Sequence, residues 1–401
     1  MIKNEIRMFL SKKNLLCLLI GIISVLLIYQ FDYVAKYKDY PNTKLEEISE
    51  HAKDIETYAK AYQNRLERIR KEYPGHPKTK EAEIMARVWS TYSIRNTNLG
   101  SCWKWPNRYE KRIREAEDEL DTQLVEVSKE NIAVGITNLY RNTKRDWKQR
   151  MELRKAYQNM NQDVPINKVI PTGAYVLNDA LSGISLMFLL MMILIIIWNF
   201  DSWAADFEQI TYKVIFTLPY GRKTLYLARF GTRFLLSICG LGIMLGVLFL
   251  RAVFAYGTGF DDYVIVNTTA TRTFGFFKTA WSSLMRTDQA VPITHSIGIS
   301  VGVTLLFLLF AISLIHFLSF TIKNQMGTII LIAVGMISIV TYSLYPKESS
   351  AVGGNVLLYF QSGSALHGAL GIGIPLMLSL LMIATLALLG IAMVWIEKRE
   401  L

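Results

Sequence analysis

The sequence predicts an all-α polytopic membrane protein, with six transmembrane helices and an extracellular helical domain of coiled-coil character, and three features carry that prediction. Apolar residues come in blocks long enough to cross a bilayer, a 3.5-residue apolar repeat runs through a polar region, and Lys and Arg alternate between the connecting segments.

A hydrocarbon core of about 30 Å needs roughly 20 apolar residues at about 1.5 Å each. Runs of that kind lie at 14–31, 178–200, 234–253, 297–320, 326–345 and 367–396. Of the 401 residues, 51% are hydrophobic and mean hydropathy is +0.25, but the blocks rather than the totals are diagnostic. The first run follows a basic start, MIKNEIRMFLSKK, as a secretory signal does, yet it leaves through Tyr29-Gln30-Phe31-Asp32-Tyr33 with no small-residue cleavage site. It reads as a retained helix.

With both termini cytoplasmic, the inner segments (1–13, 200–233, 321–325 and 397–401) hold 12 Lys and Arg, and the short outer loops (254–295 and 346–366) hold 4. Six spans with both ends inside satisfy the positive-inside rule and put 34–172 outside. That region carries 27 basic against 21 acidic residues, so the net charge of +11 reads as topology bias plus a mixed solvated surface, not as a nucleic-acid footprint. Cys17 and Cys239 fall in spans, which leaves Cys102 alone outside and permits no intrachain disulfide there.

Region 34–172 has helical periodicity. Leu45, Ile48, Ala52, Ile55, Ala59, Tyr62, Leu66, Ile69 and Tyr73 form a seam spaced 3 and 4. Thr43 with Glu46 matches a capping box at its start, and Pro74-Gly75-His76-Pro77 stops it. A second amphipathic helix from Asn107 places Tyr109, Ile113, Ala116, Leu120, Leu124 and Val127 on one face, and a looser third covers 131–160. Between the first two, Asn96 to Trp105 reads as a polar loop. Trp103 and Trp105 are candidate contacts for a peptide or lipid substrate, with packing of the loop onto the bundle as the alternative. His76 has no second ligand at metal spacing and no nucleophile stands in a catalytic setting, so the region predicts no catalytic and no metal-binding residue.

The spans hold no Asp, Glu, Lys or Arg near their centres, which argues against a proton- or sodium-driven carrier. His316 is the one titratable group well inside a span and reads as a polar interhelical contact. No GxxxxGK[ST] loop occurs, so ATP hydrolysis by that route belongs to another polypeptide. At the N-terminus, Ile2, Ile6, Phe9 and Leu10 share a helical face opposite most of the basic residues; 1–13 reads as an interfacial helix, or as a basic topology signal.

The largest inner segment, 201–233, has an acidic cluster (Asp201, Asp206, Glu208), an amphipathic stretch, a Leu218-Pro219-Tyr220-Gly221 break, and then Arg222, Lys223, Arg229 and Arg233. Together with the N-terminal helix, Glu208 about ten positions before a Leu-Pro-x-x-Arg turn resembles the ABC-2 type permease family, whose members carry Glu and then a Pro-x-[Ser/Gly]-Arg turn. The resemblance covers the membrane part by topology and this one motif. It implies that Phe207 to Thr217 is a coupling helix, with Asp206, Phe207, Glu208, Tyr212, Leu218, Pro219 and Arg222 meeting a separate ATPase subunit. It further implies two ATPase copies holding ATP and Mg, a second permease half, the same or homologous, and the plasma membrane of a bacterium. The long outer region departs from the family's smallest members. Exporters of peptides, ions, drugs and lipid-linked glycans share the scaffold.

Between the last two spans, 346–366 holds Gly353-Gly354 and the short apolar run Val356 to Phe360, which reads as a partial re-entrant gate or a surface loop, with Tyr359 and Phe360 as candidate substrate contacts. The loop at 254–296 has an aromatic face of Phe274, Phe276, Phe277 and Trp281. The expected function is export driven by a partner ATPase, with an amphipathic or antimicrobial peptide as the favoured substrate. A membrane-anchored sensor or scaffold is the alternative; it would call for a signalling domain inside, where the residues after Glu397 are Lys398-Arg399-Glu400-Leu401.

Overall fold

The computed structural model describes residues 6, 11–73, 75, 78–102, 106–129, 149, 152–153, 155–157, 159–160, 170–183, 185–217, 221–276, 288–344 and 356–398. They form two compact units. One comprises Met1–Tyr33, Glu152–Asn161 and Ile170–Leu401, and the other Val34–Met151 and Gln162–Val169. The N-terminal interfacial segment and the looser helix expected at 131–160 lie largely outside the described residues.

Five helices of the first unit are long and apolar enough to cross a membrane: Lys12–Val34, Leu186–Glu208, Arg222–Tyr256, Ile293–Ile322 and Ile374–Lys398. Helix α1 (Lys12–Ile28) starts where the Ser11 hydroxyl accepts from the Asn14 amide and continues as a π-helical turn at Tyr29–Val34. The apolar run expected at 178–200 is broken. It falls into α5 (Gly173–Leu181), a kink at Ser182-Gly183, and α6 (Leu186–Asn199), whose first turn is capped by Ser185. Helix α9 (Arg222–Tyr256) has 35 residues, about 50 Å, so it extends well beyond the run at 234–253 and takes in Arg229 and Arg233. Helix α11 (Ile293–Ile322) follows the fourth run closely, and α14 (Ile374–Lys398) begins seven residues later than the run at 367. The fifth run is the helix α12 (Gln325–Leu344).

Close packing in this unit uses small residues where helices approach. A Cβ on Gly240 would sit 2.7 Å from Trp198, and one on Gly21 2.8 Å from Leu194. The Asn199 side-chain nitrogen donates to the Ser237 hydroxyl at 3.0 Å, a buried bond between α6 and α9. The segment expected to be an outer loop at 254–296 contains a β-hairpin, so the fold is not wholly α. β1 (Tyr263–Asn267) pairs antiparallel with β2 (Asp288–Pro292), in the register Ile265 opposite Ala290. The run Tyr-Val-Ile-Val carried that signal in its β-branched residues. Phe274 and Phe276 of the expected aromatic face are exposed, while Phe277 and Trp281 lie outside the described residues. Tyr157 joins the hairpin, its ring edge-on to Tyr263 at 5.4 Å, and burial pushes its phenol above the ordinary range.

The second unit is built from α2 (Ala35–Glu72), α3 (Lys78–Cys102) and α4 (Pro106–Lys129). Its core is Ile55, Ala59, Ile84, Met85, Val88, Trp89 and Leu120. Trp89 is flanked by stacked Tyr58 and Tyr62 at 5.4 and 6.1 Å. Three expectations change here. α2 passes through Thr43 without stopping, so Thr43 is not its N-cap; Tyr73, expected in the seam, lies past its end and is exposed; and Asn96 to Cys102 is helix rather than loop. The middle helix carries the core aromatic and a buried Arg95–Glu117 pair at 2.9 Å, features that a search for apolar periodicity passes over.

Candidate functional site

The segment 201–217 lies against the ends of α9, α11 and α14. Trp203 is fully buried there, stacked on Tyr226 at 5.7 Å and edge-on to Phe320 at 5.7 Å, in a cluster with Leu225, Ala392 and Ile396. An indole of this size anchors the backbone on either side of it.

The stretch expected as one helix from Phe207 to Thr217 is two. Helix α7 (Ala204–Glu208) ends at Gln209, and α8 (Tyr212–Phe216) starts after Ile210, whose φ of 60° lies in the left-handed region. A β-branched residue is strained there, at a cost of order 1–3 kcal/mol. The Thr211 hydroxyl donates to the Asp206 carboxylate at 3.0 Å and fixes the turn.

Helix α7 is held on three sides. At its start, the amides of Trp203 and Ala204 both donate to the Ser319 hydroxyl on α11, at 3.0 and 2.9 Å. On its flank, Asp206 is ion-paired with Arg229, which is 2% exposed, donates to the Ser202 carbonyl at 2.8 Å and lies over the Trp203 ring at 4.3 Å. At its end, the Glu208 carboxylate accepts from the Gln325 backbone amide at 2.8 Å and from its side-chain amide at 2.6 Å. One turn further along α9, Arg233 pairs with Asp201 at 2.9 Å, and Lys13 reaches the same carboxylate at 3.4 Å.

Helix α8 is held differently. Tyr212 meets Phe207 at 5.0 Å, Phe216 lies 6.2 Å from Trp203, and Arg222 covers Phe216 at 5.6 Å. Its other face is open: Ile210 is 59% and Val214 67% exposed, beside exposed Lys213 and Thr217. Of the residues expected to act together, Asp206, Phe207 and Glu208 lie in α7, Tyr212 in α8 and Arg222 at the start of α9 against Phe216, while Leu218 and Pro219 lie outside the described residues. Asp206 and Glu208 face neighbouring helices through their bonds. The side chains that present an open surface are Ile210, Lys213 and Val214, which sequence reasoning did not single out. Nor did it pair Arg229 and Arg233 with Asp206 and Asp201. The signal was there: two arginines four apart just before the apolar run at 234–253, and two aspartates five apart ahead of them.

The candidate substrate contacts do not hold together. Trp103 and Trp105 lie outside the described residues. Tyr359 is fully buried and Phe360 nearly so, stacked on Phe188 at 5.4 Å and close to Phe307 at 5.7 Å, so neither presents a surface to a ligand. They belong to a packed segment, the 3₁₀ turn Val356–Leu358 and α13 (Ser362–Leu366), tied down where Ser362 donates to the Leu181 carbonyl at 2.6 Å and the Gly363 amide to the Ser182 carbonyl at 2.9 Å. Within the expected loop or gate at 346–366, residues 356–366 are thus a packed insertion, and 346–355 lie outside the described residues. His316 likewise departs from expectation: it is fully buried, edge-on to Tyr226 and Phe230, and neither nitrogen finds a hydrogen-bond partner among the described residues.

The arrangement is a short helix tied to three long ones, with an exposed apolar and basic tip beyond a strained turn. No protein-family model, curated protein or solved structure matches this chain.

Proposed function

We propose that this chain is the membrane-spanning permease subunit of an ATP-driven exporter, with six spans, both termini in the cytoplasm of a bacterium, and an ATPase supplied by separate subunits. The observation that carries the reading is the build of Ala204–Phe216. An element meant to receive force needs an exposed contact surface and stiff attachments behind it. Ile210, Lys213 and Val214 offer the surface, while Arg229, Ser319 and Gln325 supply the attachments. Nucleotide-driven closure of the ATPase pair would press on this tip, and transport would follow from differing substrate affinity in the two resulting states. The five spanning helices and the sixth apolar helix, α12, support the permease architecture. Two such halves enclose the pathway, and an amphipathic peptide is the substrate class favoured by a large helical unit that the chain inserts between its first two apolar runs.

The test is co-expression with ATP-binding-cassette ATPases of the source genome, followed by co-purification of wild type and Val214→Glu. The expected result is a stable complex with one ATPase and stimulated hydrolysis for wild type, with both lost in the variant. Unchanged binding and hydrolysis in Val214→Glu would remove the assignment of this segment.

A further inference from the structure

The bond between Glu208 and Gln325 joins residues 117 positions apart and sits at a corner where Lys323 and Gln325 both meet α7. Helix α11 ends at Lys323, which takes a left-handed conformation with φ 61° and places its ammonium 5.9 Å from the Phe207 ring. Asn324 is the local cap of α12, its side-chain oxygen accepting from the Gly327 amide at 2.8 Å. Gln325, the first residue of α12, gives its backbone N–H to Glu208. A helix N-terminus has unpaired N–H groups and a positive dipole end, so a carboxylate held there is stabilising, and the double bond to Gln325 fixes its orientation.

At this end α12 is in contact with α7, and elsewhere along its length with the Val356–Leu358 turn that opens the buried insertion. The side of α12 carrying Met326, Ile330, Leu331 and Val334 is exposed in this chain. Glu208 is the hydrogen-bonded tie from α7 to α12, while the Arg229 and Ser319 ties of α7 go to α9 and α11.

We propose that Glu208 is a positioning residue that links the 204–217 segment, through the N-terminus of α12, to the Val356–Leu366 insertion, so that a push on the segment is delivered to that insertion. This rests on the permease reading only for the origin of the push; the linkage itself is a property of the chain alone. Glu208 then has a role within this chain, carried by its bonds to Gln325.

The experiment is amide hydrogen exchange on the purified full-length chain in lipid nanodiscs, comparing wild type, Glu208→Ala, Glu208→Gln and the control Lys213→Ala. A hydrogen bond to a charged group contributes about 1.5–3 kcal/mol, so Glu208→Ala should speed exchange in 325–331 by about tenfold or more. The proposal further expects faster exchange in 356–366 in the same variant, partial recovery in Glu208→Gln, which keeps an acceptor for the Gln325 amide, and wild-type rates in Lys213→Ala. Exchange in 293–310 should stay as in wild type, which separates linkage from general loosening. Unchanged exchange in 325–331 would show that the bond does not hold α12. Faster exchange in 325–331 with an unchanged 356–366 would show that nothing is passed on. Either result overturns the proposal and leaves the ATPase assignment, judged by Val214→Glu, standing or falling by itself.

Discussion

Arg229 shows how much a single residue can settle. A guanidinium that is 2% exposed is stable only when its charge and donors are met, and here Asp206, the Ser202 carbonyl and the Trp203 face meet them. Arg229→Met leaves Asp206 and that carbonyl without their partner and is expected to cost about 3 kcal/mol, read as a lower thermal unfolding midpoint in detergent. Arg229→Lys keeps the charge but neither the fork nor the stacking, and should fall between the two. Ile210 is the reverse case. Its left-handed backbone is strained and its side chain mostly exposed, so Ile210→Gly is expected to stabilise the chain by about 1 kcal/mol while weakening ATPase binding. A variant less stable than wild type would mean that the Ile210 side chain makes contacts worth more than the strain. Arg229 and Arg233 were visible in the sequence as charges just before an apolar run, but their partners were not, because a pair across 23 or 32 positions has no local signature.

Among elements, the buried insertion depends on one glycine. Gly183 has φ 85°, and a Cβ there would lie 2.2 Å from the Phe360 carbonyl oxygen, so the kink between α5 and α6 and the Tyr359–Phe360 backbone exclude each other unless residue 183 is glycine. Gly183→Ala is expected to cost about 2–4 kcal/mol and to dislodge the insertion. Maleimide labelling of Tyr359→Cys, in a background lacking the three native cysteines, should rise from near zero to ready reaction; protection equal to that without the substitution would show that the kink adapts. The sequence marked this stretch as short, apolar and glycine-rich, hence a gate or a loop. Whether it was buried turned on the fit of Phe360 between Phe188 and Phe307, which length and hydropathy do not encode.

For the molecule as a whole, the division into units sets where the chain can be cut. Residues 152–161 belong with the spanning helices, and Tyr157 accepts from the Tyr263 amide at 3.3 Å. Replacing 36–150 by a flexible linker is therefore expected to leave the unfolding midpoint of the membrane unit near that of wild type. Extending the deletion through residue 160 removes a buried aromatic from the hairpin and should cost about 3 kcal/mol more. Equal midpoints for the two deletions would place Tyr157 outside the hairpin core.

The sequence by itself determined that this chain holds apolar helices of membrane-spanning length and amphipathic helices outside them, because both follow from composition along the local chain: run length against bilayer thickness, and spacing against 3.6 residues per turn. It marked 201–233 as unusual by charge and by Pro219. Tertiary structure alone decided that Ala204–Phe216 is two helices around a strained isoleucine, that Glu208 faces Gln325, that Tyr359 and Phe360 are core, and that a hairpin stands between α9 and α11. Each of those depends on which distant groups meet, and a buried charge, a cap or a close backbone approach is satisfied by a partner whose position the local sequence does not specify.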